Sequence, residues 1–335
     1  MRSVRRVLGA LTVAVALTTA MAACSSSDDS SSSDGEVVGS VASGPDTVVR
    51  KSGDELKVVA LGWSDGEISL SLGVKPIAIY DWQGLGESNK GVGSWATDLF
   101  GDYSPTVIKN TGTTYNYEQI ELLEPDLILN VRAASDERVF DRLSEIAPVA
   151  TAPPGTPDFA VDWRTQTKII GEAIGKTAEA DQAVADTSAK IEAAATANPD
   201  FKDKTFVYAA KFADAYGAYV AGDARFDVFA EMGFVAYPPL LALQPSGYFA
   251  AVSAEQVAAL NAQVAIFTTI SKPMSDLTSD NLINSLSVVK DGRAIMLDEK
   301  SEVNVALAAG TPQSIAIAVD QVVPMLQQSV AKIPA

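Results

Sequence analysis

The chain of 335 residues contains no histidine and a single cysteine, Cys24. Without imidazole there can be no Ser-His-Asp or Cys-His nucleophile pair, no HExxH zinc site and no histidine-ligated haem. With one thiol there can be no intrachain disulfide, no CxxC redox pair and no cysteine-rich zinc site. Positive charge is also scarce: 25 Lys and Arg face 42 Asp and Glu, a formal charge of −17. Such a surface repels a phosphate backbone, which speaks against nucleic acid as a partner. What remains is chemistry by carboxylates, Lys, Arg, Tyr and Trp, or binding without chemistry. Apolar residues make up 47% of the chain, ample for buried cores, and the length suits about two domains of ~100–200 residues.

Residues 1–23 read MRSVRRVLGALTVAVALTTAMAA, with Arg2, Arg5 and Arg6 ahead of an apolar run from Val7 to Leu17. This layout predicts a secretory signal, and the run falls short of the ~20 residues of a spanning helix. The MAAC sequence, with Ala22 and Ala23 immediately before Cys24, resembles the lipobox of bacterial lipoproteins. That resemblance implies that Cys24 becomes the diacylated first residue of a mature protein held at the extracytoplasmic face of the cell membrane. An ordinary signal or an uncleaved anchor are the alternatives. The leader carries three arginines and no acid, so its removal takes the charge from −17 to −20. After Cys24, SSSDDSSSSDGE is too polar to fold alone, and residues 24–50 are expected to be a tether.

From Lys57 onward, short apolar runs bounded by turn residues alternate with helical stretches, the pattern of βαβ units and parallel sheets. KVVALG, PIAIYDW and the run Asp126–Asn130 predict strands, and the segment after Ser64 predicts a helix ending at Gly73, capped by Ser64 or Asp65. Residues 177–198 are alanine-rich, with Thr177 as the expected cap and Asn198-Pro199 as the stop. A helix of that length suggests a strut between two lobes. KTFVYAAKF, YGAYVAG, RFDVFAEMG, SAEQVAALNA and QVAIFTTIS restart the alternation, and a last helix is expected from Pro312 to Lys332. The expected organisation is a signal at 1–23, a tether at 24–50, an N-terminal lobe at 51–176, a linking helix at 177–199 and a C-terminal lobe at 200–335.

One motif occurs in both halves. YEQIELLEPDLIL puts Glu118 on a helix before a strand, and VSAEQVAALNAQVAIF puts Glu255 at the equivalent point. A glutamate in a helix's first turn has an ordinary dipole explanation. The order ALGWSDGEISLSLGVKPIAIYDW, YEQIELLEPDLIL, VAGDARFDVFAEMGF, VSAEQVAALNA and KDGRAIMLD, however, resembles the substrate-binding lipoproteins of bacterial ABC importers for ferric siderophores, with cobalamin and haem binders as relatives. The resemblance spans roughly residues 55–335. It implies an α/β fold of two Rossmann-like lobes with parallel-type central sheets joined by one long rigid helix, the class III periplasmic binding protein architecture. It also implies a monomer without a cofactor that presents one surface glutamate per lobe, here Glu118 and Glu255, to arginine pockets of a permease driven by a separate ATPase.

Ligands of open α/β lobes bind beyond the carboxyl ends of the strands. In the first lobe this selects Trp63, Ser64 and Asp65, then Tyr80, Asp81 and Trp82, then Arg132, with Trp95 reaching over from its loop. In the second it selects Lys211, Tyr216, Tyr219, Arg225, Tyr248 and Lys272. An anionic ferric siderophore would pair with the cations and stack on the aromatics. Each has a plainer alternative: core aromatics for Trp63 and Trp82, strand residues for Tyr216 and Tyr219, a helix brace for Arg225. Haem would need a tyrosine or methionine ligand here. An extracytoplasmic carboxylate hydrolase is the competing class, but neither GxSxG nor SxxK with supporting motifs occurs, and GLGESNKG fails the GxGxxG and Walker spacings.

Overall fold

Two β-sheets, each built from the short apolar runs of one half of the chain, organise the protein. The computed structural model describes residues 35–41, 47–112 and 114–334; the expected signal, Cys24 and the serine-rich run to residue 34 lie outside them. The first sheet contains β3 (Val58–Ala60), β4 (Ala78–Asp81), β5 (Thr106–Lys109), β6 (Leu127–Asn130) and β7 (Val149–Thr151), in the order β5-β4-β3-β6-β7. All its pairings are parallel. Helices cover both faces, so β3, β4 and β6 are buried at every position and read as continuous apolar runs rather than as alternation.

Ahead of this sheet, β1 (Glu36–Val41) and β2 (Thr47–Lys51) form an antiparallel pair. Residues 36–41 and 47–51 thus form paired strands, where a tether to residue 50 was expected. Val41 and Val49 are buried in the first lobe's core. A Cβ on Gly39 would stand 2.3 Å from the Glu172 carbonyl oxygen, so glycine lets the strand lie against the helix Trp163–Ala173. Ser40 Oγ fastens it by donating to Glu172 Oε1 at 2.7 Å.

The second sheet comprises β8 (Thr205–Phe212), β9 (Ala215–Tyr219), β10 (Val235–Ala236), β11 (Phe249–Val252), β12 (Val264–Thr269) and β13 (Ala294–Met296). Its main path is β11-β9-β8-β12-β13, with β10 beside the start of β8. β12 lies parallel to both β8 and β13, but β9 is antiparallel to β8 and to β11. The departure from a parallel sheet follows from chain length. Two residues separate β8 from β9, enough for a hairpin, whereas a parallel crossover needs about a dozen.

The helix Thr177–Ala197 runs between the two sheets' helical layers. At ~1.5 Å per residue its 21 residues extend about 31 Å. Ala180, Val184, Thr187 and Ile191, spaced four, three and four apart, form its buried face. It packs on Trp163–Ala173 from the first half and on the last helix, Pro312–Val330, from the second. Thr187 Oγ1 donates to the Pro312 carbonyl at 3.2 Å, and Lys190 pairs with Asp320 at 2.6 Å. Thr177 lies inside the helix rather than capping it: Lys176 holds the N-cap position with no side-chain cap. Likewise Ser64 precedes the helix Asp65–Ser71 with φ 64°, a left-handed conformation in which its hydroxyl caps nothing.

Candidate functional site

Between the two sheets opens a cavity of about 1240 Å³, somewhat larger than the ~300–1,000 Å³ typical of small-molecule sites. Its first-lobe wall is a stack of three rings. Trp63, which follows β3, lies 4.5 Å from Trp82, which follows β4, at an interplanar angle of 9°. On its other face Trp63 meets Phe159 at 4.2 Å. The second-lobe wall consists of Phe212, Tyr219, Tyr248 and Phe249, with Tyr219 and Phe249 edge to face at 5.4 Å. A Cβ on Gly217 would stand 1.9 Å from the Phe249 ring, so the absence of a side chain there is what seats that ring.

Buried polar groups hold the first wall in place. Asp65 is fully buried and accepts from the amide of Val131 at 2.7 Å and from Gln166 Nε2 at 2.7 Å. Gln166 Nε2 also donates to the Trp63 carbonyl at 2.8 Å, tying the tryptophan's backbone to the same carboxylate. Burial pushes the Asp65 carboxyl up to about 6 against the opposing pull of these donors. A Cβ on Gly62 would fall 2.1 Å from Asp65 Oδ2, so only glycine fits above it. Asp81 accepts from the amides of Leu85 and Gly86 at 2.8 and 2.7 Å and shapes the loop that carries Trp82.

Two arginines meet at one carboxylate behind the cavity. Arg225 donates through Nε to Asp223 Oδ1 and through Nη2 to Oδ2, both at 2.8 Å, and its guanidinium lies 3.6 Å from the Tyr219 ring centre. Arg132, from the first lobe, donates through Nη2 to the same Oδ2 at 3.0 Å. Its other nitrogens reach carbonyls: Nη1 those of Ala308 and Ala309 at 3.1 and 3.3 Å, Nε that of Phe159 at 3.2 Å. Burial works against a charged Asp223, but Arg225 and then Arg132 outweigh it and hold the carboxyl below the usual range. Arg132 thereby joins the lobes and supports Trp63 and Trp82, whose ring centres are 5.6 and 5.9 Å from its guanidinium carbon.

Of the residues selected from the sequence, Trp63, Trp82, Tyr219, Arg225 and Tyr248 line the cavity. The others do not, each for a definite reason. Ser64 and Asp65 are buried beneath the turn that carries Trp63. The Tyr80 hydroxyl points to Asn110 Oδ1 at 2.6 Å and the Gly112 carbonyl at 2.5 Å. Trp95 donates its Nε1 to Glu67 Oε2 at 3.1 Å, inside the lobe. Arg132 is consumed by the bonds described above. Lys211 is paired with Asp280, which also accepts from the Tyr216 hydroxyl at 2.5 Å. Lys272 faces Asp276 at 3.9 Å.

Conversely, sequence reasoning missed Phe159, Phe212, Phe249, Asp158, Glu299 and Lys300, all of which line the cavity. Phe159 sits in an irregular loop at φ 58°, where no periodicity marks it. Glu118 and Glu255 are both exposed, in the first turns of Tyr117–Glu121 and Ala254–Leu260.

Two helix-tied α/β lobes around an aromatic cleft define a solute-binding architecture. The chain belongs to the periplasmic binding protein family, whose model matches residues 74–301. No curated relative matches it. Among solved structures it is similar to a periplasmic solute binding protein from Mycobacterium smegmatis, with 26% identity and a TM-score of 0.74 over 88% of this chain and 99% of that one. Streptococcus pneumoniae PiaA, solved in complex with ferrichrome, is 22% identical with a TM-score of 0.69 over 86% and 97% of the two chains. Staphylococcus aureus SirA, complexed with staphyloferrin B, is 22% identical with a TM-score of 0.68 over 84% and 96%.

Proposed function

We propose that the protein is an extracytoplasmic receptor that captures a ferric siderophore between its lobes and delivers it to the permease of an ABC importer, without performing catalysis. The observation that carries this is the cavity of about 1240 Å³ with an aromatic wall on each lobe and the Arg225 guanidinium stacked on Tyr219 of the second. Flat π faces and a few polar groups suit the bulky, rigid envelope that wraps a chelated metal. PiaA in complex with ferrichrome and SirA with staphyloferrin B share the fold and favour the same class of ligand for this chain. In this proposal Cys24 carries the lipid anchor and the protein acts as a monomer. Glu118 and Glu255 dock into permease arginines through bidentate pairs, and a separate ATPase supplies the energy.

Trp63 and Trp82 lie in the wall, so a bound ferric chelate should quench intrinsic fluorescence. The test is a titration of the purified protein with ferric chelates, their iron-free forms, haem and cobalamin. Saturable quenching by a ferric chelate is the expected result; a response confined to haem or cobalamin, or to nothing, would sink the proposal. For docking, Glu118→Ala combined with Glu255→Ala should abolish uptake of the bound chelate while leaving its affinity for the receptor intact. Unchanged uptake would remove both glutamates from the interface.

A further inference from the structure

The sequence offers Arg132, Arg225, Lys211 and Lys272 as cations for an anionic ligand, but in the folded protein each already has a carboxylate. Arg132 and Arg225 share Asp223, Lys211 is held by Asp280, and Lys272 faces Asp276. Only Arg225 of these four reaches the cavity, and its Nε and Nη2 are both spent on Asp223, which leaves Nη1 as the edge without a hydrogen-bond partner among the described residues. Lys300 is the other cation of the lining. Against these two stand two carboxylates, Asp158 and Glu299, so the charged groups of the lining sum to zero. Both acids are fixed by backbone amides: Asp158 Oδ1 accepts from Ser135 at 2.8 Å, and Glu299 accepts from Ser271 at 2.8 and 3.0 Å. The rest of the lining is aromatic, aliphatic or neutral and polar, the last including Gln83, Asn89, Ser246 and Asn304.

From this charge balance we infer that the site selects a ferric siderophore of zero or single net charge, of the trihydroxamate class, and rejects polyanionic chelates; the inference rests on the siderophore proposal above. Three hydroxamates bring three negative charges to Fe³⁺ and cancel it, and their C=O and N–O oxygens accept hydrogen bonds from neutral donors. Three catecholates bring six, leaving three uncompensated negative charges. A trianion would enter a cleft whose own charges cancel, in a chain of formal charge −17, and would meet Asp158 and Glu299 directly. Like charges brought together in a partly desolvated site are a selectivity device, since they cost the wrong ligand more than they assist the right one. The aromatic walls would stack the rings of a catecholate at least as well as they pack against a hydroxamate, so discrimination against the catecholate has to come from charge.

The experiment is a parallel fluorescence titration of the full protein with ferrichrome and with a ferric tris-catecholate, each at about 50 mM and about 500 mM salt. Ferrichrome should bind at least about 100-fold more tightly, with an affinity nearly independent of salt, while added salt should narrow the gap by screening the repulsion. The double variant Asp158→Asn with Glu299→Gln should shrink that ratio by about tenfold, by removing the two repelling charges. Equal or tighter binding of the catecholate would overturn the charge selection and leave the siderophore proposal standing. A ratio of about 100 that the double variant does not move would also overturn it, because size rather than charge would then discriminate. Binding of neither chelate, with a response to haem or cobalamin, would overturn the siderophore proposal and this inference together.

Discussion

The first lobe presents its aromatics to the cleft from loops at the carboxyl ends of parallel strands, Trp63 after β3 and Trp82 after β4, whereas the second presents several of them from an antiparallel edge. There Tyr219 closes β9 and pairs with Phe249, which opens β11. In a parallel sheet all carboxyl ends share one side, so the residue after each strand is a fair candidate for the site. At an antiparallel edge the end of one strand lies beside the beginning of the next, and the same rule finds Tyr219 but passes over Phe249. The rule also selects Lys211 and Lys272, whose charges are committed elsewhere on the second lobe.

Where the lobes depend on each other most is Asp223, and its removal should have the largest effect. Asp223→Ala would leave Arg132 from one lobe and Arg225 from the other buried without a counter-charge, at 3% and 8% exposure. Breaking such a buried pair costs about 3–5 kcal/mol, so chemical denaturation should show a stability loss of that size. Were the lobes energetically independent, Arg132→Met in the Asp223→Ala background would recover nothing. Because Arg132 is the stranded charge of the first lobe, that second substitution should restore part of the loss.

The two walls should also differ in what they contribute to ligand affinity. Trp63 is stacked on both faces, by Trp82 and Phe159, and its backbone is tied to Gln166. Trp63→Ala should therefore weaken chelate binding by about 2–4 kcal/mol, as loss of a preorganised aromatic anchor does. Phe249→Ala should cost less, because its ring meets Phe212, Tyr219 and Tyr248 only tilted or edge-on, at 5.4–6.4 Å, rather than face to face. Equal losses measured by titration would mean that both lobes grip the ligand alike. A smaller change tests how the second wall is seated: Gly217→Ala puts a methyl where the Phe249 ring lies and should cost about 1–3 kcal/mol in stability, with affinity falling alongside. Retention of both would place the ring elsewhere.

The contrast between the lobes also explains how much could be read from the sequence. The strands and helices of the first lobe are legible because burial on both faces gives β3, β4 and β6 uninterrupted apolar runs, and turn residues such as Gly73 and Pro125 punctuate them. The β1–β2 pair is not, because its glycine and serine look like tether until the close approach of Gly39 to the Glu172 carbonyl is seen. The aromatic chemistry of the site is partly legible, since Trp63, Trp82, Tyr219 and Tyr248 stand near strand boundaries. Its charge is not. Whether Arg132, Arg225 and Lys211 are available depends on Asp223 and Asp280, and in the case of Arg132 and Lys211 the partner lies 91 and 69 residues away in the chain. Composition counts cations but cannot tell which of them are already paired.

The smallest effect expected belongs to the first lobe alone. Glu67 is buried, accepts from the Gly93 amide and from Trp95 Nε1, both at 3.1 Å, and is paired with no cation among the described residues. Burial pushes its carboxyl up to about 7, with the two donors only partly opposing. A carboxyl raised in the folded state binds a proton that the unfolded chain has already released, so its contribution to stability is complete below about pH 4.5 and is lost as the pH rises through about 7. Between pH 6 and pH 7 this amounts to about 1 kcal/mol of lost stability. Asp65, raised to about 6, and Asp227, raised to about 7, act in the same direction, one in each lobe. Denaturation of the native protein and of Glu67→Gln across that pH range separates them: the variant should lose the part of the slope that belongs to Glu67 and keep that of Asp227. Since Trp95 donates to Glu67, its fluorescence should titrate with the same midpoint near pH 7 in the native protein and not in the variant. A Trp95 signal flat from pH 5 to pH 8 would mean that Glu67 stays ionised in the folded lobe and that its two donors outweigh its burial.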